Sequence, residues 1–336
     1  MLLDSARALK TELLGSLMLQ TVPALDLRAY GLASESASNK ELIAPPLKQF
    51  IALGISNVSN ENYRLAIRVQ RAPSPSPIDA LVQEIAARAR GEVDIRKVGE
   101  VFQLAATPPM TQRTRPIQIG CSVGGSQMTG TVGCFVKRFD QVCILSNNHV
   151  LADENNSRIG TPIVQPGNRD GGQLPSDTVA HLTDFVRLEA TAANLMDCAI
   201  ASLETGVPRD GLTLPGLGQL AGLRTAAVVD GIAVAKIGRT TGLTRGRVSA
   251  FEVDGILPQY RAGILAFNQQ IEIESTAAGR FSDIGDSGAL VVDEDNNAMG
   301  LLFAGSAYGG KNGTGLTYAT RLQTVLHKLS VSLCLT

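Results

Sequence analysis

The sequence lacks several features that would assign a protein to a class at once. Its 336 residues contain no unbroken apolar run of about 18 residues, so no transmembrane helix and no membrane partner are predicted. The net charge of −1 argues against a nucleic-acid partner. There is no C-x-x-C pair of a zinc site, and the Gly124-Gly125 and Asp170–Gly172 stretches are interpreted as turns because neither fits a phosphate-binding P-loop. We predict no metal and no cofactor.

The beginning of the chain also lacks a signal peptide, because charges at Asp4 and Arg7 come early and no long apolar stretch follows a basic start. The cysteines are scattered among apolar residues, which is typical of reduced, buried thiols. Both observations predict a cytoplasmic protein. The five cysteines are Cys121, Cys134, Cys143, Cys198 and Cys334.

The composition is that of a globular protein with a sizeable core, since 44% of residues are hydrophobic and 18% are charged. Apolar periodicity in the first hundred residues predicts a small α+β domain over residues 1–110, followed by a Pro-containing linker over 107–116. The expected role of this domain is regulation or assembly, including a homo-oligomer formed through it. Its predicted elements are helices over 3–20 and 78–90 and strands over 50–55, 63–69 and 93–104.

The second predicted domain covers residues 116–336. Short strands alternate there with turns rich in Gly, Asn, Asp and Pro, which favours a mostly β double-barrel fold. Leucines and a valine at helical spacing over 320–329 predict a C-terminal helix.

Three segments of this domain carry the chemistry. Ser287 stands between glycines after an acid, in the segment Gly285-Asp286-Ser287-Gly288. His149 follows the apolar run 142–145, and Asp197 lies inside another apolar run, so the chain order is His, Asp, Ser. A serine hydroxyl needs a nearby base to act as a nucleophile at neutral pH, and an imidazole titrates in the right range.

The remaining groups complete this chemistry. A carboxylate holds the imidazole tautomer and stabilises the imidazolium that forms, which is the role predicted for Asp197. The glycines let the backbone turn so that the amides of Gly285 and Ser287 point together as an oxyanion hole. A lone histidine is more often structural, and His181 and His327 are interpreted in that way, with His327 facing solvent.

These motifs, together with the G-R-T-T-G stretch over 238–242, resemble those of the chymotrypsin/trypsin-like serine proteases. The L-S-N-N-H-V-L-A segment and the Gly300–Ser306 segment resemble bacterial intracellular trypsin-like proteins and plant narrow-leaf-type proteins. The resemblance covers roughly residues 116–330. It implies a chymotrypsin-like double β-barrel behind the small N-terminal α+β domain, with the C-terminal helix that this family has.

The chain departs from the family pattern in three places. Ala289 stands where most relatives have a second glycine after the serine, and Asn147 and Asn148 replace small residues before the histidine. No Ile-Val-Gly-Gly start is visible, so activation by a new N-terminus that pairs with the acid before the serine is not supported. Asp286 is therefore interpreted as a carboxylate that stabilises the turn.

The resemblance also implies where substrate binds. The base of a specificity pocket is expected near Phe281 and Ser282, and its wall near Phe303, Ala304 and Gly305. Phe281 has two alternatives, the floor of an apolar pocket or the interior of the barrel. No acid stands at the base, which favours an apolar or small residue before the scissile bond. Asp283 at the mouth would instead recruit a basic residue.

The sequence therefore predicts a serine endopeptidase that acts on polypeptide substrates through an acyl-enzyme, with His149, Asp197 and Ser287 as catalytic residues. One alternative is a protease-fold binding or scaffold protein that is catalytically silent or activated by a partner. A second alternative is an esterase that uses the same acyl chemistry.

Overall fold

The computed structural model of the chain describes residues 1–16, 50–59, 62–70, 77–99, 101–102, 109–125 and 127–335. Parts of three predicted segments lie outside these residues. They are the end of the helix over 3–20, the end of the strand over 93–104 and the first residues of the linker over 107–116.

The N-terminal unit has its own small core, in which Leu13, Ile67 and Ile85 are fully buried. Its first two strands pair antiparallel, and the third pairs parallel to the second after a helical crossover. The predicted single strand over 93–104 is wrong, because Gly99 adopts a φ of +68° and interrupts it. The elements are α1 (Leu3–Ser16), β1 (Ile51–Ser59), β2 (Asn62–Val69), α2 (Pro77–Arg88), β3 (Val93–Lys97) and β4 (Val101–Phe102).

The first barrel is a curled sheet of eight strands. Seven of its strands are β6 (Ser122–Gly124), β7 (Thr129–Thr131), β8 (Cys134–Arg138), β9 (Gln141–Ser146), β10 (Pro162–Val164), β11 (Thr178–Phe185) and β12 (Ala199–Leu203). They run in the order β8-β9-β12-β11-β10-β6-β7, and the last strand of the chain adds beside β8. A short helix, α3 (Asn148–Leu151), follows β9, and a short strand outside this sheet, β5 (Ile117–Gln118), precedes β6.

The second barrel is closed. Short strands connect the barrels: β13 (Arg209–Asp210), β14 (Thr213–Leu214), β15 (Gly218–Gln219) and β16 (Gly222–Leu223). The remaining elements are β17 (Ala233–Gly238), β18 (Gly242–Asp254), β19 (Gln259–Tyr260), β20 (Gly263–Ile264), β21 (Gln270–Ser275), β22 (Leu290–Asp293), β23 (Asn297–Ser306), β24 (Leu316–Arg321), α4 (Leu322–Leu329) and β25 (Ser332–Leu333). The strand order of the barrel is β17-β22-β23-β24-β21-β18, and β18 pairs back with β17.

This architecture confirms the predicted mostly β, chymotrypsin-like double barrel with a C-terminal helix. The helix begins at Leu322, two residues later than predicted, because β24 continues through Arg321. His327 is exposed on it, as predicted. None of the helices among the described residues is long and apolar enough to cross a membrane.

The N-terminal unit shares one continuous sheet with the second barrel. Strand β18 pairs with β17 and β21 inside the barrel, and it also pairs with β1, with Leu53 opposite Asp254. An ion pair also connects the two parts: Arg68 Nε of β2 donates to Glu272 Oε2 of β21 at 2.8 Å, and both side chains are fully buried. Removing one partner of a buried ion pair costs about 3–5 kcal/mol, because the other charge stays buried without compensation.

We predict that reductant leaves thermal stability unchanged. All five cysteines are buried, and no disulfide joins any of them within the described residues. Burial raises the pKa of the Cys121 and Cys134 thiols to about 12, so they carry little reactive thiolate. Melting curves with and without dithiothreitol check this expectation. A midpoint several degrees lower in the reduced sample would reveal a disulfide that stabilises the fold.

Candidate active site

Two neighbouring strands of the first barrel bring His149 and Asp197 together. Strands β9 and β12 pair antiparallel, with Ser146 opposite Ala199, so the end of β9 meets the start of β12. His149 lies on α3, directly after β9, and Asp197 lies just before β12 rather than inside a strand. His149 Nδ1 is 2.5 Å from Asp197 Oδ2, and both residues are buried.

The Asp197 carboxylate has three hydrogen-bond donors. Besides the imidazole, the His149 amide donates to Oδ1 at 3.2 Å and the Tyr260 hydroxyl donates to Oδ2 at 2.6 Å. Burial alone would raise the pKa of Asp197, but the charge of His149 and these hydrogen bonds outweigh it and hold the pKa below its usual value. Because an ionised carboxylate only accepts, Nδ1 carries the proton and Nε2 is able to accept one.

Tyr260 is a site residue that the sequence analysis missed. It lies on the short β19–β20 hairpin of the second barrel, where its ring stacks on Phe267 at 5.8 Å and meets the His149 ring edge-on at 5.8 Å. Desolvation and the neighbouring Asp197 carboxylate raise the pKa of its phenol far above the ordinary value, so it stays a donor. No motif surrounds Tyr260, so the sequence offers no signal for this role.

The turn that carries Ser287 requires its glycines. Gly285 has a φ of +103° and Gly288 a φ of +90°, which side chains with a Cβ rarely adopt. A Cβ at Gly285 would also collide with the side chains of Arg239 and Thr240. The turn is fixed at its end, where the Gly288 amide donates to the Leu302 carbonyl at 2.8 Å.

Two amides of this turn are free to bind a negative charge. The Asp286 amide donates to the Asp283 carbonyl at 2.9 Å, whereas the Gly285 and Ser287 amides on either side of it donate to no acceptor within the described ranges. A pair of unpaired N–H groups beside a nucleophile is what an oxyanion hole needs. The geometry is therefore compatible with the prediction for Gly285 and Ser287.

The Asp286 side chain stabilises the turn that carries Ser287. Its Oδ1 accepts from the Thr240 amide at 2.8 Å, and its Oδ2 accepts from the Asp283 amide at 3.0 Å and from the Thr241 hydroxyl at 2.7 Å. Lys236 Nζ lies 3.2 Å from Oδ2, and both members of this ion pair are fully buried. Desolvation lowers the pKa of Lys236, and the Asp286 charge offsets part of that shift. An internal cation thus neutralises Asp286.

Strand β7 connects the turn that carries Ser287 with α3. The Thr131 amide donates to the Ser287 carbonyl at 2.8 Å, and the neighbouring Gly130 packs against Val150, the residue after His149. Among the described hydrogen bonds, none joins the Ser287 hydroxyl to the His149 ring. Such bonds are often long in an enzyme without substrate and tighten in the complex.

The residues predicted for the pocket base point elsewhere. Phe281 turns into the core of the second barrel, the second of its two alternatives, where it packs with Ile273 and Met299. The Ser282 hydroxyl is buried and lies 2.6 Å from that of Thr317. Neither side chain forms the floor of an open pocket, because Phe281 packs in the barrel core and the Ser282 hydroxyl is hydrogen-bonded to Thr317.

The residues predicted for the pocket wall lie on β23. Phe303 is fully buried, and its ring centroid is 4.7 Å from that of Phe267, so it supports the aromatic stack under Tyr260. Ala304 is buried beside it, and Gly305 pairs with Thr317 of β24 on one edge. Within the described part of the chain, no three His, Cys, Asp or Glu side chains form a cluster that could hold a metal.

Comparisons with known proteins find likeness only at the level of solved structures. No family model and no curated protein matches the chain. Similar structures include Thermobifida fusca protease A (17% identity, 66% of this chain and 99% of that chain, TM-score 0.46). Others are Cellulomonas bogoriensis chymotrypsin (20%, 66% and 99%, 0.46) and a Nocardiopsis protease (18%, 65% and 98%, 0.44). At these identities the likeness concerns the fold alone.

We predict that Tyr260→Phe weakens the site through Asp197. A hydrogen bond to a charged group is worth about 1.5–3 kcal/mol, and the free energy of unfolding at neutral pH should fall by that amount. Because the pKa of Asp197 is depressed, the stability it provides is lost as pH falls through its folded pKa. Without the phenol donor that pKa rises, and the loss moves to higher pH. Denaturation curves across acidic pH measure both effects.

The control is Tyr318→Phe, which removes the same atom from a buried tyrosine whose hydroxyl lies 3.4 Å from Glu272 instead. Only the Tyr260 variant should also slow the reaction of Ser287 with a fluorophosphonate. Equal reaction rates in the two variants would contradict a positioning role for Tyr260.

We predict that Lys236→Met destabilises the fold by about 3–5 kcal/mol, because it leaves the Asp286 carboxylate buried without its cation. The double variant Lys236→Met/Asp286→Asn should recover at least half of this loss, since no uncompensated charge remains. Chemical denaturation measures both, with the exposed Lys137→Met as a matched control. A double variant no more stable than Lys236→Met would show that the ion pair is not the cause.

Proposed function

We propose that this chain is a serine endopeptidase that hydrolyses peptide bonds through an acyl-enzyme. The observation that carries the proposal is the buried pair of His149 Nδ1 and Asp197 Oδ2 at 2.5 Å, together with a glycine-flanked Ser287 whose turn has two unpaired amides. A carboxylate taken out of water needs a partner, and here that partner is an imidazole with its second nitrogen left as a base.

The proposed roles follow from these contacts. Nε2 of His149 takes the proton of the Ser287 hydroxyl as it attacks the carbonyl carbon, and later gives that proton to the leaving amine. Asp197 keeps the imidazole tautomer and stabilises the imidazolium. The Gly285 and Ser287 amides bind the oxyanion, and losing one such donor typically costs about 10²–10³ in rate. Water then repeats the sequence on the acyl-enzyme.

The proposed substrate is an extended polypeptide that adds as a strand beside β23, because main-chain pairing requires a locally unfolded segment. Neither residue predicted for the pocket base, Phe281 or Ser282, is acidic. An apolar or small residue before the scissile bond is therefore the proposed preference.

A second candidate function is a protease-fold binding protein that is silent until a partner activates it. The observation that favours it is the lack, among the described residues, of a hydrogen bond between the Ser287 hydroxyl and the His149 ring. Both candidates share the fold and differ in whether Ser287 reacts.

We predict that a fluorophosphonate labels the wild-type protein and that Ser287→Ala abolishes labelling, because only an activated serine attacks the phosphorus centre. Gel fluorescence and peptide mapping measure the extent and the site of the adduct. Ser176→Ala, at an exposed loop serine, is the matched control and should label like the wild type. A folded wild-type protein that stays unlabelled favours the silent binding protein, and an adduct on another serine refutes the assignment.

A further inference from the structure

One edge of β23 passes directly beside the nucleophile turn. Strand β22 covers this edge up to Leu301, which lies opposite Leu290. The next residue, Leu302, receives a hydrogen bond from the Gly288 amide at 2.8 Å and donates one to the Ala289 carbonyl at 3.0 Å. The opposite edge of β23 is occupied by β24 through Gly305. Beyond Leu302, the Ser287 side of β23 is therefore where an extended chain can add.

The chain itself already uses that edge. Strand β4 pairs antiparallel with β23, with Phe102 opposite Gly305 and Val101 opposite Ser306. Because β24 pairs with Gly305 from the other side, β4 must lie on the edge that faces Ser287. On the described part of this edge, only Phe303 and Ala304 separate the nucleophile turn from β4.

Side-chain packing and a further backbone contact hold β4 in place. Val101 is fully buried in a cluster with Phe303, Ala304 and Tyr318. Just before β4, the Val98 carbonyl accepts from the Tyr308 amide at 3.1 Å. The contact is short, since it consists of two paired residues, one further backbone hydrogen bond and two buried valines, Val98 and Val101. A short edge strand of this kind can be displaced by a longer chain that offers more hydrogen bonds.

Strand β4 runs towards the turn that carries Ser287. An antiparallel partner of β23 runs from Ser306 towards Gly305, and so towards Leu302 and the nucleophile turn. A polypeptide that adds antiparallel to β23 at this edge would have the same direction. It would pair with the same backbone groups of Gly305 and Ser306.

We propose that β4 is a built-in competitor of the substrate, so that an extended polypeptide binds by displacing β4 from β23. This inference rests on the proposed function for the use of the β23 edge. The N-terminal unit would then serve to hold β4 near β23. Strand β4 follows β3, and the sheet that contains β3 is joined to the second barrel where β1 pairs with β18. The anchored unit keeps β4 at high effective concentration beside the edge.

The first test locks β4 in place. Residues opposite each other in an antiparallel pair have Cα atoms within the range that a disulfide spans, so Val101→Cys/Ser306→Cys should form a bridge. In the oxidised protein, turnover of a long internally quenched peptide should fall at least about 100-fold and recover on reduction. Labelling of Ser287 by the small fluorophosphonate should persist. Ser306→Cys alone, treated with the same oxidant, is the control.

The second test releases β4. Val101→Asp places a charge in the buried cluster and should detach β4, which raises peptide kcat/KM about tenfold because more molecules have a free edge. The matched control is Val58→Asp, the same substitution at an exposed valine of β1. On the Ser287→Ala background, a fluorescein-labelled synthetic peptide of residues 98–105 should bind the Val101→Asp variant at least about tenfold more tightly, measured by anisotropy.

The outcomes separate this inference from the proposed function. A wild type that is folded and unlabelled refutes the endopeptidase, and the anisotropy measurement still decides whether β4 competes for the edge. If the wild type is labelled but the oxidised double-cysteine variant cleaves the long peptide as fast as the reduced one, β4 does not compete. Equal peptide affinity with and without Val101→Asp overturns the proposal as well.

Discussion

The geometry of the candidate site depends on one buried ion pair, that of Lys236 and Asp286. Two opposite charges inside the second barrel are favourable only with close contact and further hydrogen bonds, which the Thr240 and Thr241 groups supply. The carboxylate thereby fixes the turn whose next residue is Ser287 and whose neighbouring amides stay unpaired. Lys236 is part of the second barrel and already supplies the positive charge beside Asp286. A newly formed N-terminal amine is therefore not needed to neutralise Asp286.

A second constraint is that the barrels must stay aligned across the site. Asp170 of the first barrel forms an ion pair with Arg239, which lies next to the nucleophile turn, and it also accepts from the Ser122 hydroxyl at 2.5 Å. Tyr260 reaches from the second barrel to the Asp197 carboxylate of the first. Polar groups that are buried between the barrels need these partners, and these contacts help to set the relative position of His149 and Ser287.

Helices and strands that have a clear local pattern of apolar residues could be predicted from the sequence. Helical periodicity identified the helix over 78–90, strand alternation identified 63–69, and turn residues indicated a β-rich second domain. Local pattern was misleading where a single backbone conformation interrupts it, as at Gly99, whose φ of +68° splits the predicted strand over 93–104. It also could not orient Phe281, because an apolar residue suits a pocket floor and a barrel core equally.

The sequence by itself determined the residue types of the site, since His149, Asp197 and a glycine-flanked Ser287 have a chemical meaning at any distance in the chain. Only the tertiary structure decided which groups meet them. Tyr260 stands far from Asp197 in sequence, Lys236 has no motif that points to Asp286, and β4 pairs with a strand about two hundred residues later. Such contacts arise from strand pairing and barrel closure, which bring distant segments together by packing and carry no local sequence signal.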